Sequence, residues 1–253
     1  MLTKVEITLQ PPQDITIHPS MGSLFHGIIM QHIAPEKAHQ LHQDGLRPYS
    51  QYLRYDKHKQ QPIWCINALN QQAWEEIILP ILRIDTVNLK HRNCDIKLGE
   101  KNIQQTTYQQ LADTIFTETR PIDGIQIQLI TPTTFKSKDQ YAIYPEPRHI
   151  YHSLWRRWQT YSDTISLEEN NIIDQLTDHT WIADYKLQMN KFHLEHQRIP
   201  AFSGSLRLAL KGPDMLRRIA ALLTQYANWS GIGIKTAIGM GAAQTQIYTI
   251  ERK

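Results

Sequence analysis

The first part of the chain changes between hydrophobic patterns of strand and of helix type. Val5, Ile7 and Leu9 alternate with polar residues, which indicates a half-buried strand. Apolar residues then recur at helical spacing, and Pro35 suits the first turn of a second helix. The pattern predicts the order β-α-β-β-α-β. The predicted bounds are about 4–9, 20 or 22 to 33, 35–44, 49–55, 63–67, 73–78 (its end disturbed by Pro80) and 84–98.

The same order of elements starts again after a linker-like region, residues 107–123, which contains a short helix. The predicted elements of this second part are a strand over 125–131, a helix opened by Pro147, strands over 181–194 and 203–210, a helix over 214–229 and a strand over 243–250, with an inserted helix near 168–177. Two such parts indicate an α+β protein with tandem ferredoxin-like (RRM-like) βαββαβ domains. We predict domains at residues 1–120 and 121–253, although no sequence repeat is visible.

A glycine-rich segment separates the last helix from the last strand. Its residues of interest are Gly231, Gly233, Lys235, Thr236, Gly239 and Gly241. A dinucleotide fingerprint is excluded because Thr236 holds the sixth position, and a P-loop is excluded because a strand follows rather than a helix. Glycine allows positive φ and close approach, so we expect exposed amides that hold a phosphate, with Lys235 adding charge. The alternative is a plain glycine-rich turn before a strand.

Composition and charge narrow the class of protein. The hydrophobic share of 41% and the charged share of 20% are those of an ordinary globular protein. No apolar run suits a membrane span or a signal peptide, so we expect no membrane partner. Cys65 and Cys94 lack metal-type spacing and are interpreted as reduced thiols of a cytoplasmic protein. The net charge of +3 permits nucleic-acid binding at a local patch but does not by itself indicate it.

Three segments together resemble a known family. They are residues 229–241 between a helix and a strand, residues 129–135 followed by Tyr144-Pro-Glu-Pro147, and Leu41-His42 followed by Arg47-Pro48-Tyr49-Ser50. The chain resembles the CRISPR-associated repeat-processing endoribonucleases of the RAMP superfamily, the Cas-six type, over nearly its whole length.

The resemblance implies a fold, a reaction and partners. The fold would be two ferredoxin-like domains, with the glycine-rich segment near the catalytic edge. The reaction would be metal-independent cleavage of precursor CRISPR RNA within its repeats by the adjacent 2′-hydroxyl, giving a 2′,3′-cyclic phosphate and a 5′-hydroxyl. Repeat RNA would be the partner, both as precursor and as product, and no cofactor is expected. Association with CRISPR effector proteins and homodimer formation stay open.

The chemistry requires a base, an acid and a group that holds the phosphate charge. The resemblance carries the catalytic role to His42, which falls in the last turn of the predicted helix 35–44, and a basic role to Arg47. The family often has a tyrosine on the preceding helix, where this chain has Met30. His26 and His32 are therefore kept as alternative catalytic residues, although a core position is the simpler interpretation of His32.

A basic and aromatic cluster lies on the helix opened by Pro147. Arg148, Arg156 and Arg157 accompany Trp155 and Trp158, a combination that suits phosphate contact and base stacking in RNA binding. The alternative is an amphipathic helix with Trp158 in the core and the arginines in solvent.

We predict no metal site, because the two histidine pairs have unsuitable partners or geometry. His193 and His196 would point to opposite faces of a strand, and no carboxylate or cysteine stands at convincing spacing from His149 and His152. Two other hypotheses stay open beside the endoribonuclease: a non-catalytic RAMP-type RNA-binding subunit of a CRISPR effector complex, and an unrelated ferredoxin-like enzyme acting on a small molecule. The chain shows no acidic pair, activated cysteine or cofactor motif for the latter.

Overall fold

The computed structural model describes residues 1–43, 45–89, 94–167, 171–194 and 197–249. The strands within these ranges are β1 Leu2–Gln10, β2 Tyr49–Asp56, β3 Gln61–Ala68, β4 Thr86–Leu89, β5 Cys94–Thr106, β6 Ile122–Thr133, β7 Phe135–Ser137, β8 Gln140–Ala142, β9 Thr180–Leu194, β10 Gln197–Leu210 and β11 Ala243–Thr249. The α-helices are α1 Gly22–His32, α2 Pro35–Gln43, α3 Gln71–Ala73, α4 Leu79–Leu82, α5 Tyr108–Phe116, α6 Pro147–Tyr161, α7 Ile172–Asp178 and α8 Asp214–Ser230.

The chain forms two compact units. Unit 1 comprises Met1–Gln105 and Lys235–Gly239, and unit 2 comprises Thr106–Ile234 and Met240–Lys253. The compact units thus divide the chain at residue 105, whereas we predicted domains that meet at residue 120. The difference is helix α5, which belongs to unit 2 because Tyr108 packs edge-on against Trp158, with ring centroids 4.9 Å apart.

Unit 1 is built on a five-stranded sheet in the order β2-β3-β1-β5-β4. Strand β1 pairs antiparallel with β3, with Val5 opposite Ile66. The predicted alternation places Val5, Ile7 and Leu9 in the core, where they meet apolar residues of α1 and α3–α4. Without β4, this order is the 4-1-3-2 arrangement of a ferredoxin-like βαββαβ unit, since the outer strands β2 and β5 are the second and last of the motif.

Helix α1 buries one face against this sheet. Phe25, Ile28 and Ile29 lie in the core, and Phe25 meets Trp64 edge-on with ring centroids 5.0 Å apart. Such aromatic pairs add to the stabilisation gained by burying apolar area. Helix α1 is thereby held rigidly on the sheet, and it carries His26 on its flank.

Unit 2 contains a four-stranded sheet in the order β11-β6-β10-β9, which is again the ferredoxin-like arrangement. Strand β6 lies in the middle and pairs antiparallel with both neighbours, with Ile127 opposite Leu206 of β10 and Thr245 of β11. Helices α6 and α8 contribute Trp158 and Tyr226, which with Tyr108 form a fully buried aromatic cluster. The prediction of an α+β protein with tandem ferredoxin-like folds is confirmed.

Several local features differ from the prediction. The strand expected over 84–98 is two strands, β4 and β5, and residues 90–93 lie outside the described part. Pro80 does not end its helix, because a π-helical segment, Trp74–Ile78, precedes it and the helix continues as α4. The small sheet β7–β8 was not predicted. Asp44, residues 168–170 and Ile250, at the ends of predicted elements, also lie outside the described residues. Among the described residues, no helix is long and apolar enough to cross a membrane.

Candidate active site

Helix α2 presents His42 to solvent in its last turn, as the sequence predicted. The Nδ1 atom of His42 lies 2.7 Å from the carbonyl oxygen of Ala38, one turn earlier. A carbonyl oxygen can only accept, so Nδ1 carries the proton and Nε2 is left with a lone pair in the neutral ring. The arrangement orients the ring and leaves Nε2 available to accept a proton from outside the protein.

Arg47 lies just beyond α2 and is tied back to it. Its Nε donates to the carbonyl oxygen of Leu41, 3.1 Å away, so the guanidinium is oriented by the residue that precedes His42. The charges of Arg47 and His42 both lower the pKa of His26. Electrostatics therefore place His26, His42 and Arg47, three of the predicted site residues, in one cluster of unit 1.

His26 lies partly buried in this cluster. Its Nδ1 lies 2.8 Å from the hydroxyl oxygen of Tyr49, and the two rings are stacked at 18°. Burial, followed by the charges of Arg47 and His42, lowers the pKa of His26 to about 4, against a smaller opposing effect of a hydrogen bond to the Ala237 backbone. His26 is consequently neutral at physiological pH. A neutral ring engaged on both sides orients its neighbours better than it transfers protons.

His32 does not join this cluster through its hydrogen bonding. It lies partly buried at the end of α1, where its Nδ1 is 2.9 Å from the carbonyl oxygen of Ile28. That bond ties Nδ1 of the His32 ring to its own helix.

The part of the glycine-rich segment in unit 1 packs on the start of α1. Lys235 adopts a left-handed conformation (φ 58°) and begins a 3-10 turn, Thr236–Ile238. Gly239 follows with φ 104°, and a Cβ on it would lie 2.9 Å from Cα of Gly22. Both Gly239 and Thr236 are buried. Glycine is required at Gly239 because two backbone segments of the protein approach each other here.

The part of the glycine-rich segment in unit 2 donates its backbone N–H groups to other atoms of the protein. Gly231 N–H donates to the Ala227 carbonyl oxygen (2.9 Å) and Gly233 N–H to Ser153 Oγ (3.2 Å), while Gly241 N–H donates to the Pro132 carbonyl oxygen (2.9 Å). All three glycines are buried. The expectation that they expose amides to a phosphate is therefore wrong for Gly231, Gly233 and Gly241. Strand β6 and helices α6 and α8 approach these glycine amides as closely as a ligand would have to.

Arg157 does not lie on the RNA-binding surface that we predicted for it. It is only 4% exposed, and it donates to the carbonyl oxygens of Gly233 (2.7 Å) and Ser153 (3.0 Å). Its side chain turns inward because α6 places Arg157 beside Trp158, on the face that packs against the rest of unit 2. Arg157 supports the glycine-rich segment from inside the protein and does not reach solvent.

Arg148 and Arg156 lie on the exposed face of α6, with His152 between them at helical spacing. Arg148 forms an ion pair with Asp174 of α7. Partial burial, and then the charges of Arg156, Arg148 and His149, lower the pKa of His152. Positive potential therefore concentrates along this face.

The described residues contain no group of three histidine, cysteine or acidic side chains that could hold a metal ion. His196 of the discounted pair lies outside them. Cys65 and Cys94 are buried free thiols. Burial, followed by the charge of Glu6, raises the pKa of Cys65 to about 12, so this thiol is not a nucleophile at neutral pH.

Two residues at the cluster were missed as site residues from the sequence. Tyr49 and Gln51 are both fully buried on β2. Tyr49 contacts His26, 23 residues away in the chain, and Gln51 contacts Ala237, 186 residues away. The sequence signal for Tyr49 is the motif Arg47-Pro48-Tyr49-Ser50.

Comparisons with known proteins identify similar sequences and folds. The family model described as "CRISPR-associated endoribonuclease Cas6" matches residues 127–243. A curated protein of that name from Streptococcus thermophilus is 28% identical over 93% of this chain and 93% of its own. Another, from Mycobacterium tuberculosis, is 26% identical over 97% of this chain and 78% of its own.

Solved structures support the fold. The Cas6 (TTHB231) product complex matches with a TM-score of 0.80 and 19% identity, covering 97% of this chain and all of that one. Thermus thermophilus Cas6 (TTHB231) matches with a TM-score of 0.73 and 20% identity, covering 97% of this chain and 98% of that one. With these matches, the chain is similar to the Cas6-type CRISPR-associated endoribonucleases in sequence and in fold. The family is one of enzymes, which favours the catalytic hypothesis over the RNA-binding subunit and the small-molecule enzyme.

Proposed function

We propose that this endoribonuclease cuts precursor CRISPR RNA within its repeats and releases guide RNAs. The observation that carries the proposal is the exposed His42, whose Nδ1 is fixed on the Ala38 carbonyl oxygen while Arg47 is held nearby. An oriented imidazole next to a guanidinium supplies a base and a group that holds the phosphate charge, which are two of the three groups that RNA cleavage by an internal hydroxyl requires. Similar proteins named Cas6 have been solved as a product complex and as a substrate mimic complex.

In the proposed reaction, Nε2 of His42 takes the proton of the 2′-hydroxyl. The O2′ atom attacks the adjacent phosphorus, a new P–O2′ bond forms and the P–O5′ bond breaks. The departing O5′ gains a proton from solvent water, so the products are a 2′,3′-cyclic phosphate and a 5′-hydroxyl. Arg47 stabilises the charge that builds up on the phosphate, because its planar guanidinium binds two oxygens at once.

We assign different roles to the other predicted site residues. His26 stays neutral and positions its neighbours, and His32 is structural. Lys235 is proposed to contact RNA near the start of α1, and Arg148 and Arg156 are proposed to contact phosphates at the exposed face of α6. Thr236 is buried, so the RNA contact predicted for it is not retained. Gly231, Gly233, Gly239, Gly241 and Arg157 act indirectly, by shaping the segment.

The nucleophile can be tested directly with modified repeat RNA. Cognate repeat RNA is cut in EDTA, and then each ribose is replaced in turn by deoxyribose. One deoxy substitution should abolish cleavage and leave affinity unchanged, because it removes the attacking hydroxyl. Mass measurement of the unmodified product should show a cyclic phosphate. Cutting of every singly substituted RNA would contradict the proposed reaction.

The remaining expectations about partners and location are separate hypotheses. Size measurement of the protein alone and with its guide RNA tests homodimer formation, and co-purification tests association with CRISPR effector proteins. The two buried free thiols suit the reducing cytoplasm that we expected for the protein.

A further inference from the structure

Gln51 is a fully buried amide side chain at the centre of a hydrogen-bond network in unit 1. Its Nε2 donates to the carbonyl oxygens of Gly22 (2.8 Å) and Ala237 (3.2 Å), and its Oε1 accepts from Nε1 of Trp64 (3.0 Å). Both amide hydrogens and the amide oxygen therefore have partners, which a buried polar group requires. The oxygen contact with Trp64 also fixes which end of the amide faces the two carbonyl groups.

The two carbonyl groups belong to the backbone segments that surround His26. Gly22 starts helix α1 one turn before His26, and Ala237 lies in the 3-10 turn of the glycine-rich segment. These segments touch through their backbones, because a Cβ on Gly22 would lie 2.6 Å from the Ile238 carbonyl oxygen. Gln51 joins the segments at this contact.

The Ala237 carbonyl oxygen also meets the ring of His26. It is a hydrogen-bond partner of the His26 side chain as well as of Gln51. Since the Tyr49 hydroxyl occupies Nδ1 of His26, the ring atom available to the Ala237 carbonyl oxygen is Nε2. A carbonyl oxygen accepts, so Nε2 carries the proton, and Nδ1 accepts from the hydroxyl of Tyr49.

We propose that Gln51 is a positioning residue of the ribonuclease site, which fixes the Ala237 carbonyl and thereby holds His26 in the neutral Nε2–H tautomer. The consequence for cleavage rests on the proposed function, but the effect on His26 does not. Without Gln51, the carbonyl is free to turn, and His26 can exchange tautomers or rotate. A His26 ring of changed tautomer or orientation beside Arg47 and His42 would disturb the groups that act on RNA.

The test replaces Gln51 with a residue of similar size that cannot hydrogen-bond. In Gln51→Met, ¹⁵N NMR of histidine-labelled protein should show mixed tautomers at His26, whereas the wild type should show one tautomer. With repeat RNA, kcat should fall roughly 10- to 100-fold with KM unchanged, as for a small misplacement of reacting groups.

Two further variants keep the test decisive. Gln51→Glu is isosteric and keeps the acceptor for Trp64, but its carboxylate cannot donate to the carbonyls. Its kcat defect should shrink at acidic pH, where protonation restores one donor. Asn67→Leu is the matched control, because it removes another buried amide of the same sheet, which donates to Ser50 Oγ (2.8 Å). The control should lower stability but keep the His26 tautomer and kcat.

A folded Gln51→Met protein with wild-type His26 spectra and wild-type kcat would overturn the proposal. The same holds for Gln51→Glu if its activity defect does not change with pH. If the wild type fails to cut RNA while Gln51→Met changes the His26 spectra, the positioning effect stands and the proposed function fails.

Discussion

The hydroxyl oxygen of Tyr49 lies 2.8 Å from Nδ1 of His26, and the two rings are nearly parallel. Burial, opposed by the charge of Arg47, raises the pKa of Tyr49, so the phenol stays protonated and donates to the imidazole. The pair forms a neutral support behind Arg47 and His42. Proton transfer to RNA is accordingly assigned to His42, which is exposed.

The first prediction concerns His42. In His42→Ala the rate of cleavage should fall roughly 10²- to 10⁴-fold, which is the usual contribution of one proton-transfer group. Affinity for uncut repeat RNA should change little, because phosphate contacts elsewhere carry binding. Single-turnover cleavage and filter binding measure the two effects separately. His39→Ala is the control, since His39 lies exposed on the same helix and contacts Gln43. Equal rates for His42→Ala and the wild type would move the catalytic role elsewhere.

The second prediction is that cleavage requires no divalent metal. Histidine and arginine can supply proton transfer and charge stabilisation at neutral pH without a metal ion. Cleavage rates in EDTA and in Mg²⁺ should agree once the RNA has folded under each condition. Activity that is lost in EDTA and restored by Mg²⁺, with the RNA fold unchanged, would disprove the prediction.

The fold was largely predictable because its signals are local. Alternation at Val5, Ile7 and Leu9 shows which strand face is buried, and Pro147 marks the start of α6. The β7–β8 pair was missed, because its short turn has no glycine and leaves little pattern. The break between β4 and β5 was missed because residues 90–93 contain no glycine or proline. The π-helical segment before Pro80 was missed too, since it satisfies the backbone in a way that helical periodicity does not reveal.

Site residues could be predicted from the sequence only where they lie in a recognisable motif. His42 and Arg47 came from a resemblance, and the structure brings them together with His26. Gln51 could not be found in this way, because its contact with Ala237 joins residues 186 apart. The glycines were misassigned for a physical reason. Glycine marks a close backbone approach, but the sequence does not tell whether the approaching group is a ligand or the protein itself.

The third prediction compares the effects of two glycine substitutions on the free energy of unfolding. Gly239→Ala should lower the free energy of unfolding by on the order of 1–3 kcal/mol, because φ is 104° and the new Cβ would press on Gly22. Gly27→Ala should raise it by about 0.5–1 kcal/mol, because Gly27 lies inside helix α1 with open space around it. Urea unfolding measures both. A neutral Gly239→Ala variant would mean that the backbone contact is loose in solution.

The fourth prediction follows from the low pKa of His26. In the unfolded chain the pKa of His26 is near 6.5, whereas in the folded protein its pKa is about 4. Stability from this residue is therefore fully present above pH 6.5 and is lost as the pH falls towards 4, by at most roughly 3 kcal/mol. Urea unfolding at pH 7.5 and pH 4.5 should show a larger loss for the wild type than for His26→Gln. Equal losses would show that His26 titrates normally.

The last prediction concerns Lys235, in a segment whose glycine amides serve the protein rather than a ligand. If Lys235 contacts RNA, Lys235→Ala should weaken binding and flatten the dependence of log K on log salt by about 0.7, the value for one phosphate of a single strand. Backbone strain should not confuse the result, because both side chains are disfavoured alike at φ 58°. Lys59→Ala is the control, since Lys59 forms an exposed ion pair with Glu100 and is not assigned to the RNA surface. A slope and affinity equal to those of the wild type would mean that Lys235 does not meet RNA, and that the whole segment serves packing.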